Sequence, residues 1–466
     1  KIKMMKKIYS ILLLALVFQS CDNFDEDINI NPNLPSQASG TQLIANAELY
    51  LPGLSSSPRG EFFAQYLAET QYVGTSLYPQ ESTSFYSYYQ GPLENLQTVL
   101  NNQENLSSTE GPVDNQVAVA KILRAYFYWN ITDRWGDVPY KEALMGSENF
   151  TPVYDTQQSI YLDLFQELKE ATSMMMAGKI NNDIVYDGNM DNWRKLANTI
   201  RLFMALRLSE VDPDLAQTEF KEALSDGVIL DNADNLVYNH LAEANNQNYW
   251  YGQVVNQNRE WWALTEKLVS HMLPFGDPRL EVYGNPARAN NNFVGLRYGE
   301  EEAIGTEEYS LLGSAIYAQD APVYLVTAAQ VYFAIAEAAS RGWVGESAEE
   351  NYNMAIEQSF LQWTGSSEGV DSFLSQPEVA FDVNNAIESI ANQRWVHLYM
   401  HGYESWSEWR RTGFPTGFTT PNGAEIPLRL SYPDNESFNN SDNYEEAVNR
   451  QFNGEDLIYG RVWWDQ

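Results

Sequence analysis

His397 and His401 stand one helical turn apart, a spacing that can present two imidazoles to a zinc ion. The glutamate that zinc hydrolases carry after the first histidine is missing, and no third ligand is evident. Arg394 shares the same helical face, so structural hydrogen bonding is the expected role. Glu404 and Glu408 could flank a glycosidic bond as acid and base. They fall in a stretch with Trp406, Trp409, Arg410 and Arg411, which points to ion pairing and aromatic packing. Asp187, Asn189 and Asp191 alternate like ligands of a calcium loop, but Gly188 and the absent distal glutamate break that pattern. Glycine-rich phosphate loops and paired Cys-x-x-Cys ligands do not occur, and the one Gly-x-Ser-x-Gly match, Gly365-Ser366-Ser367-Glu368-Gly369, follows a helix expected over 348–360 instead of a strand, so it is not a nucleophile elbow. No catalytic residue, metal or cofactor is implied, and the expectation is a protein that binds without chemistry.

Binding chemistry has better candidates. Tyr72, Tyr78, Phe85, Tyr86, Tyr88 and Tyr89 crowd one short stretch among Ser, Thr, Gln and Gly. Asn248, Tyr249, Trp250 and Tyr251 form a second cluster inside an Asn/Gln-rich loop. Aromatic faces beside amide side chains suit a neutral polar ligand, either sugar rings or peptide backbone. The candidate ligand residues are therefore Tyr72, Tyr78, Tyr86, Tyr88, Tyr89, Asn248, Tyr249, Trp250 and Tyr251.

The elements that must position them are mainly helical. Ala118, Ile122, Ala125, Tyr126 and Trp129 recur at helical spacing within 116–131, and Ile160, Leu164, Leu168 and Ala171 do so in the next segment. A third helix carries Trp193, Leu196, Ile200, Phe203 and Leu208. Asp212-Pro213 then reads as cap and first residue of a helix over 213–224. A helix over 328–341 ended by Gly342, followed by a capping box at Ser347–Glu350 opening 348–360, predicts an antiparallel pair. Small Ala334, Ala338 and Ala355 would let its members approach closely, as in tetratricopeptide units. A final helix is expected over 384–401. Between the helices lie long irregular stretches, 79–92, 230–259, 275–322 and 413–452, of the kind that carries function. The fold class is mainly α, in a single domain over 43–466.

Cys21, the only cysteine, closes a segment in which Lys1, Lys3, Lys6 and Lys7 precede the apolar run Ile8–Phe18. That run is too short for a membrane span and reads as a signal over 1–20, with Cys21 as the lipidated N-terminus. A polar, turn-rich tether follows over 21–42. The net charge of −35 becomes more negative once the four lysines are removed. Nucleic acid and anionic lipid are therefore excluded as partners, since both are held by Lys and Arg. Contact with a membrane would rest on the lipid anchor alone.

Several stretches resemble the SusD/RagB family of Bacteroidetes nutrient-binding lipoproteins. Among them are Lys121–Trp129, Asp133-Arg134-Trp135-Gly136-Asp137-Val138-Pro139-Tyr140, Trp193–Arg201, Asp277-Pro278-Arg279-Leu280 and Ala336–Trp343. Gln393-Arg394-Trp395, Trp409–Gly413, Pro427-Leu428-Arg429, Tyr432-Pro433 and Arg461-Val462-Trp463-Trp464-Asp465 follow in family order. Ile30-Asn31-Pro32-Asn33 and the closing Trp-Trp-Asp are similar to the RagB-type branch. The resemblance implies about four tetratricopeptide-like helix pairs scaffolding irregular ligand-holding loops. It also implies a lipid anchor in the outer membrane, exposure on the cell surface and pairing with a SusC-like TonB-dependent transporter. There the protein would act as a lid that delivers an oligosaccharide or peptide. The acidic Asp25-Glu26-Asp27 is similar to signals that send such lipoproteins to the surface. A surface glycan hydrolase and a purely structural transporter subunit are the competing readings. Trp135-Gly136-Asp137 and Trp463-Trp464-Asp465 are expected to pack helices and fix turns.

Overall fold

The apolar spacing of the long segments is realised as helices that pair off along the chain. The computed structural model describes residues 38–300, 305–419 and 423–466; Cys21, the signal and most of the tether lie outside them. Four helical hairpins follow one another among the described residues: α1 (Val113–Trp135) with α2 (Gln157–Met174), α3 (Met190–Arg207) with α4 (Pro213–Asp226), α5 (Ala328–Ser340) with α6 (Ala348–Thr364), and α7 (Ala386–His397) with α8 (Gly402–Thr412). Successive hairpins also touch, α2 against α3 and α5 against α7, which gives the stacked arrangement of tetratricopeptide-like proteins.

Local chemistry sets the helix ends. Asp212 accepts from the Leu215 amide at 3.2 Å, with Pro213 at the first helical position. Ser347 accepts from the Glu350 amide at 3.2 Å, as its sequence suggests. The full reciprocal capping box lies at the start of α5 instead, between Thr327 and Gln330. Ala334, Ala338 and Ala355 are fully buried between α5, α6 and their neighbours.

Two expectations need correction. The helix expected over 384–401 stops at His397, because Met400 takes a left-handed backbone (φ 66°) and the chain turns into α8 at Gly402. The stretch 413–452, expected to be irregular, ends in a further helix, α9 (Ser441–Phe452). Only Ala447, Val448 and Phe452 of α9 are buried, so its apolar periodicity is faint.

Buried polar groups tie the hairpins together. The Trp464 indole donates to Asp133 Oδ1 at 2.9 Å, and Tyr161 donates to the same oxygen. Asp137 Oδ1 accepts from the Gln157 amide at 2.7 Å while its other oxygen receives Arg450. Trp135-Gly136-Asp137 and the Trp-Trp-Asp terminus are thus parts of one packed junction, as expected of a fold signature. The core extends from these helices into the loops, where Tyr66 stacks on Trp395 with ring centres 5.1 Å apart.

Candidate site: an aromatic platform beside an apolar pocket

The loops over 230–259 and 275–322 meet at a short strand pair, β1 (Leu67–Glu69) with β2 (Trp262–Leu264), antiparallel with Leu67 opposite Leu264 and Glu69 opposite Trp262. Segments of 275–322, read as irregular, are stitched onto β2 by backbone hydrogen bonds. Leu264 N donates to Ser310 O and Leu296 N donates to Leu264 O, both at 2.8 Å. Ser310 N in turn donates to Val294 O at 2.8 Å. Gly284 and Gly313 sit where the backbones press together: a Cβ on Gly313 would lie 2.0 Å from Val282 O, and one on Gly284 2.4 Å from a Leu264 methyl. Any larger residue would push the layers apart.

The pairing continues past β1, with Thr70 N donating to Trp261 O at 2.9 Å. That bond brings Tyr72 to Trp261, edge to face, with ring centres 5.1 Å apart and planes at 69°. Tyr72 is 75% exposed, and its backbone is left-handed at φ 58°, a conformation rare for a bulky residue. Such strain clusters at ligand-holding sites. Arg259 lays its guanidinium 4.1 Å from the Trp261 ring centre and is pinned by Gln253.

Beside this platform opens a pocket of about 330 Å³, with Arg259 as the shared wall. Its rim carries an ion-paired clasp. Arg288 donates to both oxygens of Glu260, at 2.5 and 2.9 Å, and Thr306 donates to the second of them at 2.5 Å. The Arg288 and Thr306 hydrogen bonds hold the Glu260 carboxyl down at about 2, so it remains ionised.

The sequence-derived candidates divide sharply. Tyr72 lies on the platform. Tyr249 and Tyr251 are half-buried, and burial pushes the Tyr249 hydroxyl upward against the opposing charge of Arg259. Trp250 is buried, packing edge to face between Tyr249 and Trp262 at 5.1 and 5.2 Å. Asn248 is buried too: its side chain caps the next turn, accepting from the Trp250 amide at 2.8 Å and donating to Ala321 O at 3.0 Å. Trp250 and Asn248 thus support the loop rather than face solvent from it, although both border a smaller cavity of about 130 Å³ near Trp363 and Tyr399.

The rest of the first cluster is spent on structure. Tyr78 is buried, stacked on Tyr298 at 5.6 Å and receiving Gln65 at 2.9 Å. Tyr86 donates to Glu436, Tyr89 donates to Pro139 O, and Tyr88 receives Arg134 at 3.1 Å. Tyr86, Tyr88 and Tyr89 anchor the 85–93 turn because their hydroxyls find partners on Glu436, Arg134 and Pro139. Trp261, Arg259, Trp262, Tyr309 and Tyr317 were missed. The Trp261-Trp262 pair closing the Asn/Gln-rich loop was the available signal, since alternation along a strand end sends one ring inward and leaves the other near the surface.

The possible chemical sites are also placed. His397 is buried, with Nε2 2.8 Å from Thr327 Oγ1 and Nδ1 3.0 Å from Ser359 Oγ. Asp187 pairs with Lys179, Asn189 caps α3 and Asp191 pairs with Arg194. Arg207 clamps Glu404 at 2.8 Å and Glu408 at 2.6 Å. Burial opposes ionisation of Glu408, yet Arg411, Arg394 and Arg207 outweigh it and hold that carboxyl well below the usual range. This pair is a structural ion cluster, as its arginine-rich context suggested.

Comparison with known proteins agrees with the fold. Residues 32–433 match the SusD-like family described as "Starch-binding associating with outer membrane". A chitin-binding protein of known structure is 30% identical, over 91% of this chain and 98% of its own, with a TM-score of 0.78. A SusD homologue from Bacteroides fragilis is 26% identical over 92% of this chain and all of its own, with a TM-score of 0.80. A chitin-binding SusD homologue from Flavobacterium johnsoniae shares the fold at 24% identity and a TM-score of 0.76, over 92% of this chain and 98% of its own. No curated protein sequence matches the chain. No helix among the described residues is long and apolar enough to cross a membrane. Helical hairpins stacked in series, loops gathered on a two-stranded brace and a family match over most of the chain together place this protein in the SusD-like family.

Proposed function

We propose that this protein captures a neutral oligosaccharide at the outer membrane and holds it by stacking and hydrogen bonding, without altering it. The exposed Tyr72 ring braced by Trp261 carries the reading: a sugar has an apolar face that suits such a ring. The starch-binding description of the family and the chitin-binding relative favour a glycan over a peptide. Cys21 is the lipid anchor, with the signal over 1–20 removed and 21–42 as tether to the binding domain over 43–466. The protein works at the cell surface as the lid of a SusC-like TonB-dependent transporter. Support for these last roles comes from family membership and from the short apolar run that ends at the lone cysteine.

The test is calorimetric titration of the soluble protein, begun after Cys21, with malto-, cello- and chito-oligosaccharides and with peptides. Binding of a glycan that weakens in both Tyr72→Ala and Trp261→Ala is the expected result. Unchanged affinity in both variants would sink the site. Release of shorter sugars on prolonged incubation would instead establish a hydrolase.

A further inference from the structure

We infer that the pocket beside the platform takes an acetamido group, so that the captured glycan is built from N-acetylated sugars. This rests on the glycan-binding reading and specifies its ligand class. A pocket of about 330 Å³ has room for one pyranose ring with a substituent. An unsubstituted sugar edge would need unpaired acceptors on the walls, and the carboxylate and amide oxygens that could supply them are largely engaged by neighbours. Glu260, Arg288 and Thr306 close on themselves. The Asn285 amide donates to Leu312 O at 2.8 Å and accepts from Ser314 N at 3.3 Å, and Arg259 gives one N–H to Gln253 while its guanidinium covers Trp261.

What remains open is of two kinds. Val254, Leu311, Leu312 and the Trp262 indole supply apolar surface. Tyr309 and Tyr317 also line the pocket, and their hydroxyls have no hydrogen-bond partner among the described residues. An acetamido group matches both, with a methyl to place on the apolar wall and an amide to meet the phenols. A bare hydroxyl in its place would be desolvated with few partners.

Chitohexaose and cellohexaose decide it, because they share a β-1,4 backbone and differ at C2 as acetamido against hydroxyl. The wild-type protein should bind chitohexaose about tenfold tighter or more, a margin typical of one well-housed apolar group. Val254→Phe, which fills the pocket from a half-buried wall position, should bring chitohexaose down to the affinity of cellohexaose and leave cellohexaose unchanged. Tyr317→Phe, which removes only a hydroxyl, should weaken chitohexaose alone by a few-fold and guards against misfolding of the first variant. Equal affinity for the two hexamers, with Tyr72→Ala weakening both, overturns the acetamido pocket and leaves the platform standing. Binding of neither overturns both readings. A chitohexaose preference that survives both pocket variants overturns the placement.

Discussion

Arg259 and Trp261, two residues apart, place guanidinium over indole with 4.1 Å from the guanidinium carbon to the ring centre, so the charge sits over the ring beside the pocket. Gln253 fixes that arginine from the side, and Tyr72 meets the indole edge to face. The four side chains hold one another in place, and pre-organisation of this kind cuts the entropy cost of binding.

Tyr72→Ala should therefore lower glycan affinity by about 1–3 kcal/mol, the scale of one stacked aromatic ring. The Tm should stay within about a degree, because the ring is 75% exposed. Titration and thermal melting on the same preparation check both halves.

Trp250→Ala should show the opposite split. Its ring is buried against Trp262 and Tyr249, so truncation should cost about 3–5 kcal/mol of stability in urea unfolding. Any loss of affinity should scale with the fraction unfolded.

Removing Arg207 should be among the most damaging single changes. It is fully buried and pairs with Asp133, Glu404 and Glu408, so Arg207→Met strands carboxylates in the core. A loss of about 3–5 kcal/mol is expected, read as a lower urea midpoint.

Stability should peak near pH 6. Burial lowers His271 to about 4 and His397 and His401 to about 3, against an ordinary value near 6.5. For such depressed histidines the unfolded chain takes up protons first, so stability is lost as pH falls below about 6.5. Glu61 behaves in the opposite way. Burial without a counter-charge raises its carboxyl to about 8, so the unfolded chain ionises first and stability falls as pH climbs from about 4.5 to about 8. Glu61→Gln should remove about 5 kcal/mol of pH dependence between pH 4.5 and 8, the scale of that shift, and so flatten the alkaline limb. Thermal melts from pH 4 to 9 on both proteins would reveal it, and an unchanged alkaline limb would exclude Glu61 as the cause.

Cys21→Ser should move the full chain from the outer-membrane fraction to the soluble one and abolish labelling by a clickable fatty acid. Persistent membrane association would mean that another contact holds it.

Much of the scaffold was legible because burial and period coincide in long helices: Ile122, Leu164 and Trp193 face the core where their spacing says they should. Helix α9 escaped because Ser441, Asp442, Asn443, Glu445 and Glu446 dilute its apolar stripe. The site was legible only in part. Tyr72 and Tyr78 are the same residue type six positions apart, yet one stands in solvent and the other stacks on Tyr298. That difference is made by β1 pairing with β2, and local composition carries no trace of a partner so far along the chain. Trp261 belongs to the same lesson, since the bond from Thr70 gives it its role.

The tight contacts at Gly284 and Gly313 have a consequence for redesign. Between them the chain is fastened to β2 by main-chain bonds, which are indifferent to side-chain identity, while Asn285, Arg288, Tyr309 and Leu311 are presented to the pocket. The stretch bounded by the two glycines is an exchangeable cassette. Its pocket-lining residues can be swapped in the laboratory while the two clamps and the helical hairpins stay as they are.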